Sequence, residues 1–147
     1  GYGDKTASLH RFAENFGRLS DAARRLITLE NDDRTFTPAD LLPVCSKLHI
    51  PLVYDVHHHR VLSDAMNISA ATSAALETWN REPLFHLSSP LDGWHGSGQH
   101  RHHDYIDPED FPAEWADLAI TVEVEAKAKE LAVQKLMADL KLRISRV

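Results

Sequence analysis

Ile50-Pro51-Leu52-Val53-Tyr54-Asp55-Val56-His57-His58-His59 is a short apolar run that ends abruptly in an acid and three imidazoles. A run of this length without polar alternation predicts a strand, Ile50 to Val56, buried on both faces, as in a parallel sheet covered by helices. Its polar ending falls at the carboxyl end of the strand, where such folds place their sites. The arrangement recurs along the chain. Leu26-Ile27-Thr28-Leu29-Glu30 is a second apolar run ending in acid, Leu84 to Ser88 is a third and contains His86, and Ala119 to Glu125 is a fourth.

Helical patterns separate these runs. Leu9, Phe12, Ala13, Phe16 and Leu19 recur at three- and four-residue spacing and predict an amphipathic helix over Thr6 to Arg24. Thr37-Pro38-Ala39-Asp40 supplies an N-cap, a proline at the first helical position and an acid at the third, opening a helix to about Leu48. Ala65 to Trp79 is Ala-rich and helical. A long Gly- and His-rich connection runs from Ser89 to about Asp107, Asp107-Pro108-Glu109-Asp110 caps a short helix, and Ala126 to about Ile144 forms the last one.

The alternation is α(βα)4 with four parallel strands, and two architectures fit it: a small doubly wound sheet, or half of an eight-stranded (β/α)8 TIM barrel. A complete barrel takes about 250 residues, so 147 residues with four strands are a little over half of one. A doubly wound nucleotide binder carries a Gly-rich loop after its first strand. Here Glu30 is followed by Asn31-Asp32-Asp33, which repels phosphate.

Composition bounds the rest. With 43% hydrophobic and 26% charged residues the chain is one globular unit, which excludes disorder and collagen-like repeats. A formal charge of −6 argues against a broad basic surface for nucleic acid. Ten His are present, and eight of them fall between His57 and His103, which points to a site. Cys45 is the only cysteine and lies in an apolar helix, so a buried thiol without a disulfide is expected. Nothing resembles a signal peptide or a membrane span, so the expectation is an intracellular protein with no membrane partner: cytoplasmic, or nuclear or mitochondrial in a eukaryote. Gly1-Tyr2-Gly3-Asp4-Lys5 opens without an initiator Met and runs directly into a helix, which suggests a piece of a longer or processed protein.

Glu30, Asp55, His86 and Glu125 each stand at or near the end of a different strand. Parallel strands lie about 4.8 Å apart, so these side chains can share one volume. Three carboxylates there repel one another unless cations intervene, and carboxylate with imidazole is the donor set for Zn, Mn or Fe. His58 and His102 complete the candidate set. Each residue also has an ordinary alternative: Glu30 could cap a loop, Asp55 could bond a turn, and His86 could be a satisfied core histidine. If the strand continues past Val56, Asp55 and His57 share a face; His58 joins Asp55 only if the chain turns there. His95 and His100 read as solvated loop residues, and His10 and His49 as surface or helix-end residues. Trp79 and Trp115 read as packing aromatics.

These residues match a known pattern. Tyr2-Gly3-Asp4-Lys5, Arg11-Phe12 with Asn15, Leu29-Glu30-Asn31-Asp32-Asp33, Pro51-Leu52-Val53-Tyr54-Asp55 with His57-His58, His86-Leu87-Ser88-Ser89, His102 with Asp104-Tyr105-Ile106, and Glu125-Ala126-Lys127 with Lys129-Glu130 follow one another as in the UV damage endonucleases. The chain resembles that family, which belongs with the endonuclease IV and xylose isomerase-like barrels. The resemblance implies the C-terminal half of a (β/α)8 barrel, strands five to eight, in one unit over residues 1–147. It further implies a divalent metal cluster, manganese first among the candidates with zinc, magnesium or iron as alternatives, and damaged double-stranded DNA as partner. Under it Glu30 is similar to the carboxylate bridging two metals, Asp55 to a second acidic ligand, and His58 to the imidazole three residues on. His86, His102 and Glu125 are similar to the ligands of the seventh strand, the following loop and the eighth strand. Leu84 departs from the pattern, because the family usually carries Lys there, and the first half of the barrel, with its own ligands, is absent.

The activity so implied is hydrolysis of a phosphodiester 5′ to UV-damaged nucleotides, with Glu30, Asp55, His86 and Glu125 as the catalytic set. Lys127 and Lys129, placed at the start of the last helix against its dipole preference, are candidates for DNA phosphate, as are Lys5 and Arg101. Three bound divalent ions would add about six positive charges, enough to offset the acidic excess. The alternatives are a metal-dependent sugar isomerase or epimerase on the same barrel plan, and a non-catalytic half-barrel that pairs with a second copy to cover its open edges.

Overall fold

In this computed structural model, which describes residues 3–144, four parallel strands lie side by side in chain order: β1 (Leu29–Glu30), β2 (Leu52–Asp55), β3 (Leu84–Leu87) and β4 (Thr121–Val124). Tyr2, the first residue of the family-like pattern, lies outside the described residues. A doubly wound sheet reverses its strand order at a switch point. This sheet winds in one direction throughout, which is the winding of a (β/α)8 barrel carried through four strands.

The helices are α1 (Lys5–Gly17), α2 (Asp21–Arg24), α3 (Pro38–Leu48), α4 (Val56–Val61), α5 (Ile68–Glu77) and α6 (Glu130–Ile144). Local chemistry accounts for their starts. Thr37 caps α3 in a complete capping box with Asp40, with Pro38 opening the helix, and Asn67 caps α5 through the Ala70 amide. His49 ends α3 in the left-handed conformation, a helix-end residue as expected. Among the described residues no helix is long and apolar enough to cross a membrane.

Several boundaries differ from expectation for identifiable reasons. The helix expected over Thr6 to Arg24 breaks after Gly17, because the Ser20 hydroxyl accepts the Ala23 amide and starts a separate turn. The first strand shrinks to two residues, since the Leu26 and Ile27 amides still bond back to Ala23 and Arg24 and leave Leu26 83% exposed. No α-helix joins β3 to β4; two 3-10 turns, Pro108–Asp110 and Ala113–Asp117, take its place. The last helix begins at Glu130 rather than Ala126, after Lys129 adopts a positive φ of 52°.

The core lies between the sheet and its helices. Tyr54, Phe85, Leu87, Leu52 and Cys45 are wholly buried, with Trp115 wedged among them. The Trp115 ring packs against Phe85 at 5.3 Å and Tyr54 at 6.1 Å, and its indole N–H donates to Thr72 at 2.9 Å. Trp79 likewise donates to the Leu52 carbonyl at 2.7 Å, so both tryptophans are packing residues. Tyr54, His59 and Asp64 form a buried chain, with Tyr54 to His59 at 2.7 Å and His59 to Asp64 at 3.2 Å. Asp64 in turn accepts the Ala39 amide in the first turn of α3, so this chain ties α4 to α3.

Candidate metal centre

The opposite face of the sheet, which becomes the interior in a closed barrel, carries the polar strand ends. Asp55 pairs in register with His86, and His86 with Glu123. Glu30 lies level with Val53, two residues short of Asp55, and Glu125 lies two residues past Glu123. The longer glutamate side chains span that stagger. One donor atom from each of Glu30, Asp55 and His86 falls within 4.8 Å of the others, a spacing one cation can bridge. Glu125 extends the group, with Oε1 3.5 Å from His86 Nδ1 and Oε2 3.7 Å from His102 Nδ1.

The chain does turn after Val56. The Asp55 carboxylate accepts the His58 amide at 2.8 Å and so caps α4, which stops the strand and swings His58 back over the sheet. His58 Nδ1 then lies 3.3 Å from Asp55 Oδ2 and 3.5 Å from Glu30 Oε1. Its Nδ1–H, the ring N–H nearest the two carboxylates, donates to the Asn31 carbonyl at 2.9 Å. A neighbouring carbonyl that orients the ring in this way is a common support for a metal-bound imidazole. The arrangement in which Asp55 and His57 share a strand face does not occur. His57 points away, under the loop that follows β3.

Asn31, quoted in the family-like stretch but not among the candidate site residues, is wholly buried and fixes this geometry. Its side-chain amide donates to the Asp55 carbonyl at 2.8 Å and accepts the Asp55 amide at 3.0 Å. These two bonds clamp the ends of β1 and β2 together; in the sequence Asn31 shows only as a polar residue after a strand-end acid, within a family-like stretch. Asn31→Ala strands both Asp55 backbone groups, and an unsatisfied buried group costs about 1–3 kcal/mol. The variant is expected to lose roughly 2–4 kcal/mol in urea unfolding.

The electrostatics show a centre balanced by its own imidazoles. Burial raises Glu30, but His58 and His86 beside it outweigh that and bring it down to about 2. Burial dominates at Asp55 and holds it up at about 6, with His58 opposing. Burial depresses His58, yet Glu30 and Asp55 overcome it and lift it to about 9. His86 is raised against its burial in the same way, chiefly by Glu30. Asp55 Oδ2 and His86 Nδ1 are buried and make no hydrogen bond. Buried polar atoms are normally satisfied, so two open lone-pair atoms facing one volume, within a carboxylate and imidazole set, fit a divalent cation.

Two of the cationic candidates lie beside acids outside this cluster. Lys5 is paired with Asp40 at 2.7 Å, Lys127 sits 3.9 Å from Asp104, and Arg101 is exposed on the loop after β3. Lys127 and Lys129 precede α6 rather than opening it. The first turn of that helix carries Glu130, which satisfies the dipole preference for an acid there. His100 is less free than expected, because it bonds Asp33 at 2.9 Å and tethers its loop to the segment after β1. Leu84 stands two residues before His86 on the same strand face, paired with Thr121, and brings a hydrocarbon to the floor of the site.

The family model described as UV-endonuclease UvdE matches residues 1–147. The chain belongs to the UV-endonuclease UvdE family. Among UvdE-like relatives, the UV DNA damage endonuclease of Halalkalibacterium halodurans is 38% identical over 143 residues, covering 91% of this chain and 44% of the relative. The UV-damage endonuclease of Neurospora crassa is 36% identical over 153 residues, covering 96% of this chain and 23% of the relative. The crystal structure of SacUVDE superposes with a TM-score of 0.83 at 28% identity, over 97% of this chain and 48% of that one. This UvdE-family chain therefore spans less than half the length of these relatives, and it has the fold of half a TIM barrel.

Proposed function

We propose that residues 1–147 act as one unit, the C-terminal half of a barrel endonuclease that hydrolyses DNA 5′ to UV-damaged nucleotides. The observation that carries the proposal is the convergence of Glu30, Asp55 and His86 from three strand ends, with two of their buried donor atoms unbonded, in a chain of this family. Glu30, Asp55, His58, His86, His102 and Glu125 would hold divalent cations, with manganese the first candidate. When bound, such ions supply Lewis-acid polarisation of a phosphate and lower the pKa of adjacent water.

The protein's own contribution is placement. Glu30 stands between His58 and His86, while Asp55 is held rigid by Asn31 and by its cap to α4. His102 and Glu125 close the side nearest the loop after β3. The carboxylates deliver negative charge that cations offset, so a phosphate can approach a site that would otherwise repel it. Lys5, Arg101, Lys127 and Lys129 would contact the DNA backbone around the site, Lys5 after exchanging Asp40 for phosphate. The free edges of β1 and β4 offer unpaired backbone groups, which we assign to the remaining strands of a closed barrel or to a second copy of this one.

The test is nicking of UV-irradiated duplex against unirradiated duplex, with and without Mn2+, by the protein in the longest form its gene encodes. Manganese-dependent nicking confined to irradiated DNA is expected, and Glu30→Ala is expected to remove it. Metal-dependent turnover of a sugar with no nicking would replace this reading with an isomerase.

A further inference from the structure

His102 is the one member of the proposed centre that neither a helix nor one of the four strands carries or abuts; it hangs in the long connection after β3. That connection is nonetheless tightly built. Pro90 pairs antiparallel with His102, the Leu91 amide donates to the Arg101 carbonyl at 2.7 Å, and the His103 amide donates to the Ser89 carbonyl at 2.9 Å. At its tip a Cβ on Gly96 would stand 2.3 Å from the Asp92 carbonyl oxygen, and one on Gly98 2.5 Å from the Asp92 carboxylate. At Gly96 the close atom is backbone, so only glycine permits that approach, whereas at Gly98 the Asp92 carboxylate can swing aside.

The hairpin is anchored from outside by α4. The Trp94 ring lies 5.2 Å from that of His57 and 5.7 Å from the Arg60 guanidinium, and its indole N–H donates to Asp110 Oδ1 at 2.7 Å. Asp110 is buried; it also accepts the Ser89 hydroxyl at 2.5 Å, and its carbonyl accepts from Arg60 at 2.8 Å. His57, wholly buried, bonds the Gln99 carbonyl through Nε2 at 2.6 Å, and its ring lies 5.4 Å from that of His102. Indole, imidazole and carboxylate thus meet at the base of the hairpin whose return strand carries His102.

We propose that Trp94 and His57 are positioning residues for His102, holding it over the metal centre without touching the metal themselves. This rests on the metal-centre reading and adds to it: α4 presents His58 directly and places His102 through the hairpin. A ligand on an unanchored loop binds only in the fraction of molecules that have it in place, and the apparent dissociation constant rises as the inverse of that fraction. Loss of outer partners of metal ligands lowers affinity about 10–100-fold. The same range is expected here.

The experiment measures Mn2+ affinity by the electron paramagnetic resonance signal of free Mn2+, for the wild type, Trp94→Phe, His57→Phe, His102→Ala and the doubles with His102→Ala, alongside urea unfolding of each metal-free protein. Phenylalanine keeps a ring in the stack but drops the bond to Asp110 or to Gln99, and the two variants attack the brace from opposite ends. Each is expected to weaken Mn2+ binding tenfold or more, and to weaken it no further once His102 is gone. Effects that multiply with His102→Ala would overturn the inference, as would lowered stability with wild-type affinity. A wild-type chain that binds no Mn2+ overturns the metal-centre reading itself, and that failure is visible before any variant is made.

Discussion

Glu30→Ala is expected to abolish the stabilisation that Mn2+ confers on this chain. Glu30 Oε1 lies 3.3 Å from His86 and 3.5 Å from His58, so its removal takes away the carboxylate that links both halves of the donor set. A cation that binds only the folded state stabilises it by about 2.7 kcal/mol at one hundred times its dissociation constant. For a chain of this size that raises the melting temperature by roughly 5–10 °C. The wild type should show this rise on titration with Mn2+, and the variant should melt at the same temperature with or without the ion. A Mn2+-dependent shift that survives in Glu30→Ala would place the cation elsewhere. The metal-free variant should remain folded, because Glu30 is 39% exposed at its side chain and supports no part of the core.

Trp115→Ala is expected to destabilise the fold severely. The ring is 2% exposed and packs against Tyr54, Phe85 and Phe111, and the substitution also leaves the Thr72 hydroxyl without its indole donor. Truncating a buried tryptophan costs about 3–5 kcal/mol through lost transfer energy and the cavity left behind. Domains are stable by only about 5–15 kcal/mol, so urea unfolding should show a midpoint shifted far toward zero or a chain already partly unfolded. Trp115 comes from the 3-10 segment that replaces a helix between β3 and β4. A small effect would mean that this segment contributes little to the core.

The parts of the fold legible in the sequence are those with local causes. Apolar runs too short for helices and lacking alternation mark buried strands, and the Thr37-Pro38-Ala39-Asp40 box marks a helix start, because each is determined by residues within one or two turns of it. The strand-end donors Glu30, Asp55, His86 and Glu125 were visible for the same reason: a parallel sheet puts all its strand ends on one side. Failures clustered where local signals compete. Gly17 and Ser20 split a helix whose apolar spacing ran on past them. Asp55 both ends β2 and caps α4, so the strand stops one residue before Val56.

Local pattern and family resemblance suffice for the class of the chain, an α/β half-barrel of the UvdE family, and for the residues of its candidate centre. Long-range packing alone shows how the chain turns after Asp55 to carry His58 to the carboxylates, that Asn31 locks Asp55, and that Trp94, His57 and Asp110 gather beneath the loop bearing His102. The physical reason is separation along the chain. Asn31 meets Asp55 across 24 residues, His57 meets Gln99 across 42 and Arg60 meets Asp110 across 50. Periodicity and capping report neighbours within a few residues, whereas these contacts exist only after the sheet has brought distant segments together.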